Sequence, residues 1–397
     1  MRFGIFTTLY DCGGGAGTAA DVLDNLREQV RLAEQLGYDA VWIGEHHFGP
    51  YDLGDLPNPI LVGADLAART SRIRIGQMAN IAVWWHPIRL AEDLAILDNL
   101  TRGRVDVGFG RGIWPYEGPQ FHPRADPRKE EENRELFRET VEIVRKAWTE
   151  ECFAHQGPNY TFPAPNTRFS HPRYPPDPAW QDGDRVLKLR VTPKPYQKPH
   201  PPLWMTVSTD RSVSFAAELG LRPCYWQPPP RRLRQRMELY ADIRSRIEGR
   251  PVPPSEGQAV LRNLYVAPTM SAARREAEEG ILSAFIYNDP FRGRDVFTNP
   301  GEELQPGAKL DWEFLEPRTL LVGPPEHVAE RVRELEEVCG LESLLLEHAH
   351  PGIPQRLILR NLELFATKVM PAFRDASGSA PRTTVPSASG RSPATGP

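Results

Sequence analysis

The chain has 397 residues, enough to bury a large core, and its 52 acidic and 48 basic residues leave a formal net charge of -4. This near-balance argues against a nucleic acid or an anionic membrane surface as partner, and the charged fraction of 25% argues against a chain that is disordered throughout. The four cysteines form no CxxC pair, so neither a disulfide framework nor a zinc site is expected. No apolar run approaches the ~20 residues of a membrane span, and the N-terminus is too weakly apolar for a signal peptide, which predicts a cytoplasmic protein.

Eight short apolar runs, which predict β-strands, alternate with helical patterns along the chain. The predicted strands cover 2–7, 39–43, 73–78, 105–109, 203–207, 223–226, 260–266 and 343–347. The predicted helices cover 18–37, 58–70, 87–100, 128–149, 210–219, 229–248, 271–287, 323–340 and 354–373. This alternation is typical of parallel βα units, arranged as an open doubly wound sheet or as a closed barrel. The count of eight strands and the chain length favour a (β/α)₈ TIM barrel.

Two segments depart from the alternation. Residues 157–202 contain 12 prolines and interrupt the chain between structured parts, which predicts a long loop excursion. Residues 376–397 contain Val385 as their one sizeable apolar residue, too little to repay the entropy of ordering. We therefore predict one barrel domain over residues 1–375 and a disordered tail over 376–397.

Unusual polar residues follow four successive predicted strands. Glu45-His46-His47 follows the second strand, Gln77 to Asn80 ends the third, Gly110-Arg111-Gly112 ends the fourth, and Ser208 to Ser212 follows the fifth. In a barrel of this kind the chemistry takes place at the carboxyl ends of the strands. These residues are therefore the candidates for an active site.

The adjacent histidines His46 and His47 allow three interpretations. A metal site is disfavoured, because neighbouring side chains on a strand point to opposite faces and no later strand end completes a ligand set. We expect no metal, and a metal-dependent hydrolase is correspondingly disfavoured. Packing and hydrogen bonding at the barrel rim would explain either ring. The functional interpretation places one imidazole at the barrel mouth as a proton donor or acceptor.

The two later motifs both indicate a phosphate. Alternating glycines in Gly108 to Gly112 would let the backbone approach a flat ligand, and Arg111 could clamp a phosphate, although a surface salt bridge is the ordinary fate of a lone arginine. Thr209 and Ser212 precede or begin a helix, where hydroxyls bind phosphate or simply cap the helix. Together the motifs predict a planar, phosphate-bearing cofactor.

These residues resemble the bacterial luciferase-like, flavin-dependent monooxygenases. The matching segments are MRFGIF, GYDAVWIGEHHF, NPILVGADLAARTSRIRIG, WWHPIRLAEDLAILDNLTRGRVDVGFGRG, LLVGPPEHVAERVRELEEVCGL and LRNLELFATKVMPAF. The resemblance implies a (β/α)₈ barrel and a monooxygenase that uses O₂ and reduced FMN from a separate flavin reductase. A flavin C4a-hydroperoxide would oxygenate a small organic metabolite. The resemblance also implies a homodimer, formed through helices near the second and third strands.

The resemblance assigns a role to each candidate residue. His46 would lie at the reactive edge of the flavin and transfer a proton. Met78-Ala79 matches a position where the family often has a non-prolyl cis peptide against the isoalloxazine. The contacts to the FMN phosphate and its surroundings would come from Arg111, Gly112, Ile113, Thr209 and Ser212.

The chain also departs from the luciferases proper. Gly110 stands where they have a cysteine, and Ser208 stands where they have a glutamate. Light emission and an aldehyde substrate are therefore not expected. Residues 150–202 and 289–316 are predicted to cover the barrel mouth as lids. Five nearby aromatic residues could line an apolar substrate pocket or pack in the core: Trp84, Trp85, Trp114, Tyr116 and Trp226.

Two alternatives keep the same barrel. A deazaflavin-dependent oxidoreductase would transfer hydride without using oxygen, but the EHHF and GFGRG segments look more like the FMN branch. A flavin-binding barrel that has lost catalysis is disfavoured by the retention of His46 and Arg111.

Overall fold

The computed structural model describes residues 1–9, 17–49, 54, 56–304 and 307–374. Eight parallel strands close into a barrel, because each pairs with the next and the last pairs with the first. The strands are β1 (Arg2–Thr7), β2 (Ala40–Ile43), β3 (Arg74–Ile81), β4 (Val105–Gly110), β5 (Leu203–Val207), β6 (Arg222–Trp226), β7 (Ala259–Val266) and β8 (Ser343–Glu347). The predicted (β/α)₈ barrel is confirmed. The predicted disordered tail, 376–397, lies outside the described residues.

Helices surround the barrel, in most cases one after each strand. They are α1 (Ala19–Leu36), α2 (Pro59–Ala67), α3 (Pro87–Thr101), α4 (Gly118–Phe121), α5 (Glu130–Thr149), α6 (Asp210–Glu218), α7 (Pro230–Glu248), α8 (Met270–Arg292), α9 (Trp312–Thr319), α10 (Pro325–Cys339) and α11 (Gln355–Leu364). A short strand, Leu321–Gly323, pairs with the end of β7. In the described ranges, no helix is long and apolar enough to cross a membrane.

The strands are apolar throughout because both of their faces are buried. Along β2, Ala40 and Trp42 pack inside the barrel, whereas Val41 and Ile43 pack into the outer core beneath the helices. Parallel strands covered on both sides need apolar residues at every position, not at alternate ones. This requirement explains why the run DAVWIG carries no period-2 pattern.

A tryptophan fills the barrel interior because its neighbours lack side chains. A Cβ atom on Gly4 would lie 2.7 Å from the Trp42 ring, and one on Gly76 would lie 2.3 Å from it. The Trp42 ring meets Trp204 edge to face, with 5.4 Å between ring centroids. Gly4 and Gly76 on the flanking strands β1 and β3 therefore make room for this packing.

The Pro-rich excursion folds against the outside of the barrel. It contains two small antiparallel hairpins, within residues 155–162 and 181–186. Gln197 Nε2 donates to Asp98 Oδ1 on α3 at 2.8 Å, and Lys194 Nζ donates to the Ala147 carbonyl on α5 at 2.7 Å. These contacts hold the excursion against α3 and α5.

Helix α8 is longer than predicted. The sequence predicts a helix over 271–287, yet the helix runs to Arg292 and contains Pro290, although proline usually terminates a helix. Its last turns lie over the carboxyl end of the barrel, and Phe285, Asn288 and Phe291 line the cavity there. Packing against the barrel mouth thus overrides the local preference of proline.

Candidate active site

A cavity of about 340 Å³ opens at the carboxyl ends of the barrel strands. This volume lies within the range of small-molecule and cofactor sites. All eight residues predicted as site residues line it: His46, Met78, Ala79, Arg111, Gly112, Ile113, Thr209 and Ser212. Of the five aromatic candidates, Trp114 and Trp226 line the cavity. Trp84 lies beneath Gly112, Trp85 donates to Glu45, and Tyr116 meets Tyr287.

The Glu45-His46-His47 segment sends alternate side chains in different directions. Glu45 is buried, accepts from the backbone N–H of Ile81 at 2.6 Å and from Trp85 Nε1 at 3.0 Å, and lies 3.2 Å from His47 Nε2. Burial raises the pKa of Glu45 above its ordinary value. Glu45 and His47 thus fix the ends of β2 and β3, while His46 lines the cavity beside Trp114, with 4.0 Å between their stacked rings.

Glu117, which the sequence interpretation missed, joins the two histidines. Its Oε1 atom accepts from the backbone N–H of His47 at 2.7 Å and lies 3.4 Å from Nδ1 of His46. The residue is fully buried, and its Oε2 atom has no hydrogen-bond partner within the described part of the chain. The sequence signal for Glu117 was a single acidic residue in the otherwise apolar loop Trp114-Pro-Tyr-Glu-Gly118. A carboxylate at Nδ1 leaves Nε2 of His46 for a group in the cavity.

Arg111 also lines the cavity and is mostly buried. Its Nη1 atom donates to Asn133 Oδ1 at 3.0 Å, and its Nη2 atom lies 3.9 Å from Glu130, a carboxylate already held by Arg134 at 2.7 Å and by Arg211 at 2.6 Å. Burial, followed by the charge of Arg134, lowers the pKa of Arg111 to about 10, so the guanidinium stays charged at neutral pH. Cationic groups exceed anionic ones here, which suits an anionic ligand.

The glycines of β4 allow close packing of the barrel strands. A Cβ atom on Gly108 would lie 2.1 Å from the carbonyl oxygen of Gln77, and one on Gly110 would lie 2.6 Å from Ile81 Cδ1. Only Gly112, with φ +76°, adopts the left-handed conformation that favours glycine. The geometry ties Gly108 and Gly110 to the close approach of β3 and β4. That the glycines also let the backbone approach a flat ligand stays a prediction.

Thr209 and Ser212 form a capping box at the start of α6. Thr209 Oγ1 accepts from the Ser212 N–H at 3.2 Å, and Ser212 Oγ accepts from the Thr209 N–H at 3.0 Å. The capping interpretation therefore holds for both hydroxyls. They also line the cavity on the same side as Arg111, so the two roles are compatible.

The floor of the cavity is formed where β3 changes register. The Met78–Ala79 peptide bond is cis, and the pairing with β4 shifts between Gln77 and Asn80. Both residues are buried and line the cavity. On the adjoining wall, the Thr8 hydroxyl is buried and has no hydrogen-bond partner among the described residues.

Helix α8 is tied to the loop that follows β4. Trp114 Nε1 donates to Asn288 Oδ1 at 3.1 Å, and the hydroxyls of Tyr116 and Tyr287 lie 2.7 Å apart. These contacts hold the C-terminal half of α8 over the cavity. In the described part of the chain, no three side chains of His, Cys, Asp or Glu are grouped to hold a metal ion.

The sequence and fold match known proteins. The family model described as luciferase-like monooxygenase matches residues 1–341. The oxygenase component of the flavin-dependent trigonelline monooxygenase of Acinetobacter baylyi is 28% identical, over 94% of this chain and 96% of that protein.

Two solved structures share the fold. One is the oxygenating constituent of 3,6-diketocamphane monooxygenase from Pseudomonas putida, a type II Baeyer–Villiger monooxygenase in complex with FMN, with TM-score 0.74, 24% identity, and coverage of 94% and 98% of the two chains. The other is an F420-dependent secondary alcohol dehydrogenase, with TM-score 0.67, 18% identity, and coverage of 94% and 99%. The family match spans most of the chain, and the chain therefore belongs to the luciferase-like monooxygenase family.

Proposed function

We propose that this protein is the oxygenase component of a two-component monooxygenase, which takes reduced FMN from a flavin reductase and oxygenates a small organic molecule. The observation that carries the proposal is that all eight candidate residues line one cavity. This cavity combines a mostly buried arginine with a histidine that lies beside a buried carboxylate. The relatives named as monooxygenases support the same reaction class.

The surroundings of Arg111 suit the phosphate of FMN. A buried guanidinium beside a helix N-terminus provides charge and hydrogen-bond donors together, which is the usual way that proteins bind phosphate. Arg111 would pair with the phosphate, Gly112 and Ile113 would approach it through their backbone, and Thr209 and Ser212 would border it. Arg134 and Arg211 would add positive potential around the bound anion.

The remaining part of the cavity suits a flat ring system. Met78 and Ala79 would support one face of the isoalloxazine, and the unpartnered hydroxyl of Thr8 could bond to one of its polar edges. Reduced flavin, when bound, supplies the electrons that activate dioxygen. His46, with Nδ1 toward Glu117, would hold or deliver a proton at Nε2.

Helix α8 would be the main cover of the cavity. Phe285 and Phe291 line the cavity, and the hydrogen bond from Trp114 to Asn288 joins α8 to the loop that follows β4. Of the predicted lid 289–316, Phe291 lines the cavity, whereas no residue of 150–202 is among the described residues that line it. A dry cavity would protect reactive oxygen chemistry from water. A lid role for the Pro-rich excursion stays a prediction.

A homodimer through α2 and α3 is also part of the proposal. Leu61 on α2 and Ile96 and Leu100 on α3 are exposed, at 68%, 44% and 66% of their full accessibility. Exposed leucine and isoleucine side chains on adjacent helices favour a protein partner, although single exposed residues are ordinary.

The test compares cofactors and oxygen isotopes. We expect the full-length protein to bind FMN in equilibrium dialysis and, with a flavin reductase, NADH and ¹⁸O₂, to incorporate one labelled oxygen atom into a ring compound from a substrate panel. Preferential binding of a deazaflavin, with substrate oxidation that proceeds without oxygen, would replace the proposal with the hydride-transfer alternative.

A further inference from the structure

A carboxylate lies beside the arginine that we assign to the phosphate of FMN. Glu130, the first residue of α5, lines the same cavity as Arg111, and its Oε1 atom lies 3.9 Å from Arg111 Nη2. At this separation the two groups form an ion pair without a hydrogen bond. A phosphate that reached Arg111 would therefore come close to a group of its own sign.

The charge and the orientation of Glu130 are set by two further arginines. Arg134 Nη2 donates to its Oε1 atom at 2.7 Å, and Arg211 Nη1 donates to its Oε2 atom at 2.6 Å. Both arginines border a surface groove between α5 and α6, and neither lines the cavity. Burial opposes ionisation, but the hydrogen bond from Arg134 and the charges of the three arginines hold the pKa of Glu130 below its ordinary value. Glu130 is therefore a carboxylate at neutral pH.

The charges around Arg111 do not match the charge of a phosphate. Three arginines, Arg111, Arg134 and Arg211, accompany two glutamates, Glu130 and Glu131, the second of which also pairs with Arg211. These five side chains leave a surplus of one positive charge, whereas a phosphate monoester carries about −1.5 to −2 at pH 7. Without the carboxylate of Glu130 the surplus would be two, close to the charge of the phosphate.

We propose that Glu130 weakens the binding of FMN by competing with its phosphate for Arg111, so that the flavin exchanges after each turnover. This inference rests on the proposed function, because it requires the phosphate of FMN to lie at Arg111. A flavin that arrives reduced from another protein is a substrate, and its oxidised form must leave before the next reduced molecule binds. Differences in affinity between related complexes lie mostly in the dissociation rate, so a weaker charge match favours this exchange.

The test compares FMN with riboflavin, both oxidised, on the unaltered protein and on Glu130→Gln. Equilibrium dialysis measures the affinities, and stopped-flow dilution with detection of flavin fluorescence measures the dissociation of FMN. We expect Glu130→Gln to bind FMN about fivefold or more tightly and to release it correspondingly more slowly. Its affinity for riboflavin, which lacks the phosphate, should stay within about twofold of that of the unaltered protein. Glu130→Asp, which keeps the charge, should gain less than Glu130→Gln.

Glu132→Gln is the matched control. Glu132 lies on the same first turn of α5, pairs with Arg124 at 3.7 Å, and borders the surface groove. The substitution removes the same charge from the same helix end, and it should leave the affinity for FMN within about twofold. An equal gain in Glu132→Gln, or an equal gain for riboflavin, would overturn the proposal.

Unchanged or weaker binding of FMN in Glu130→Gln would also overturn the proposal, because it would make the carboxylate neutral or helpful toward the phosphate. If Glu130→Gln does not fold, Glu130→Ala removes the same charge and carries the same expectation. Binding of FMN by neither the unaltered protein nor these variants would refute the proposed function. Binding of FMN that depends on Arg111 but is not tightened in Glu130→Gln would refute this inference alone.

Discussion

Burial of Arg111 removes its guanidinium from water, and the interactions with its neighbours replace only part of the lost hydration energy. Its carboxylate neighbour Glu130 lies 3.9 Å away and is shared with Arg134 and Arg211. Arg111→Ala should therefore weaken FMN binding by about 1.5–3 kcal/mol, the contribution of a charge-assisted hydrogen bond. Equilibrium dialysis of FMN measures the change.

Riboflavin, which lacks the phosphate, is the control ligand for this prediction. Its affinity should be nearly the same in the Arg111→Ala variant and the unaltered protein. Arg128→Ala, which removes an exposed arginine paired with Asp126, should change neither affinity. Equal losses for FMN and riboflavin would show that Arg111 acts on the fold and not on the phosphate.

His46 and Glu117 act as a pair in the proposed reaction. His46→Ala should retain FMN binding but lose most product formation, because the imidazole is the proton carrier in the cavity. Glu117→Gln keeps the size of the buried side chain but removes its charge from Nδ1 of His46. We expect it to lower turnover about 10- to 100-fold.

Urea unfolding separates a role in the reaction from a role in folding. If Glu117 only supports the β2 end through the His47 backbone, Glu117→Gln would lower the free energy of unfolding and leave the turnover of the folded protein unchanged. Full turnover of the folded variant would remove Glu117 from the mechanism. Full turnover in His46→Ala would remove the histidine as well.

At the level of elements, the approach of β3 to β4 fixes the cavity floor. Gly108→Ala would place a methyl group 2.1 Å from a backbone oxygen of Gln77, whereas Gly110→Ala would place one 2.6 Å from the mobile end of the Ile81 side chain. Backbone cannot shift as readily as a side chain, so Gly108→Ala should lower the free energy of unfolding by about 3 kcal/mol or more and Gly110→Ala by about 1–2.

Urea titration monitored by circular dichroism gives both values. The matched rescue is Gly110→Ala with Ile81→Val, which should regain part of the loss because the shorter side chain removes the clashing atom. Ile81→Val should not offset the loss in Gly108→Ala, because the atom that the added methyl group meets there is the carbonyl oxygen of Gln77. Equal costs at the two glycines would contradict this account of the strand contact.

Helix ends in this protein illustrate what local sequence can specify. The sequence predicts this helix over 18–37, and the capping box of Thr18 with Asp21 and the left-handed Gly37 bound α1 at these ends. In contrast, α8 continues through Pro290 because its last turns pack over the cavity. Caps act within one turn of the chain, so sequence reveals them. Packing against distant strands is not encoded in neighbouring residues.

For the whole molecule, two buried histidines link stability to pH. Burial lowers the pKa of His348 to about 4, and burial together with the charge of His348 lowers the pKa of His350 to about 3. In the unfolded chain both would titrate near about 6.5, so below that pH the unfolded state binds more protons than the folded state. Stability is therefore fully present above about pH 6.5 and is lost as the pH falls toward the folded-state values.

Each histidine should contribute up to about 1.4 kcal/mol per pH unit to this loss. The measurement is the free energy of unfolding in urea between pH 7 and pH 4. His350→Gln should flatten the dependence, and His171→Gln, which alters an exposed histidine, should leave it unchanged. A pH-independent free energy over this range would refute the linkage.

Sequence patterns were enough to predict the alternation of strands and helices, the barrel, and the candidate residues at the strand ends. Those features depend on composition and periodicity within single segments, and the family resemblance added the cis position at Met78–Ala79. Only the tertiary structure brought Glu117 to His46, Asn133 to Arg111, and Arg211 to Glu130. These contacts join residues between 22 and 81 positions apart. Closure of the barrel decides such pairings, because it alone sets which strand ends and loops face each other.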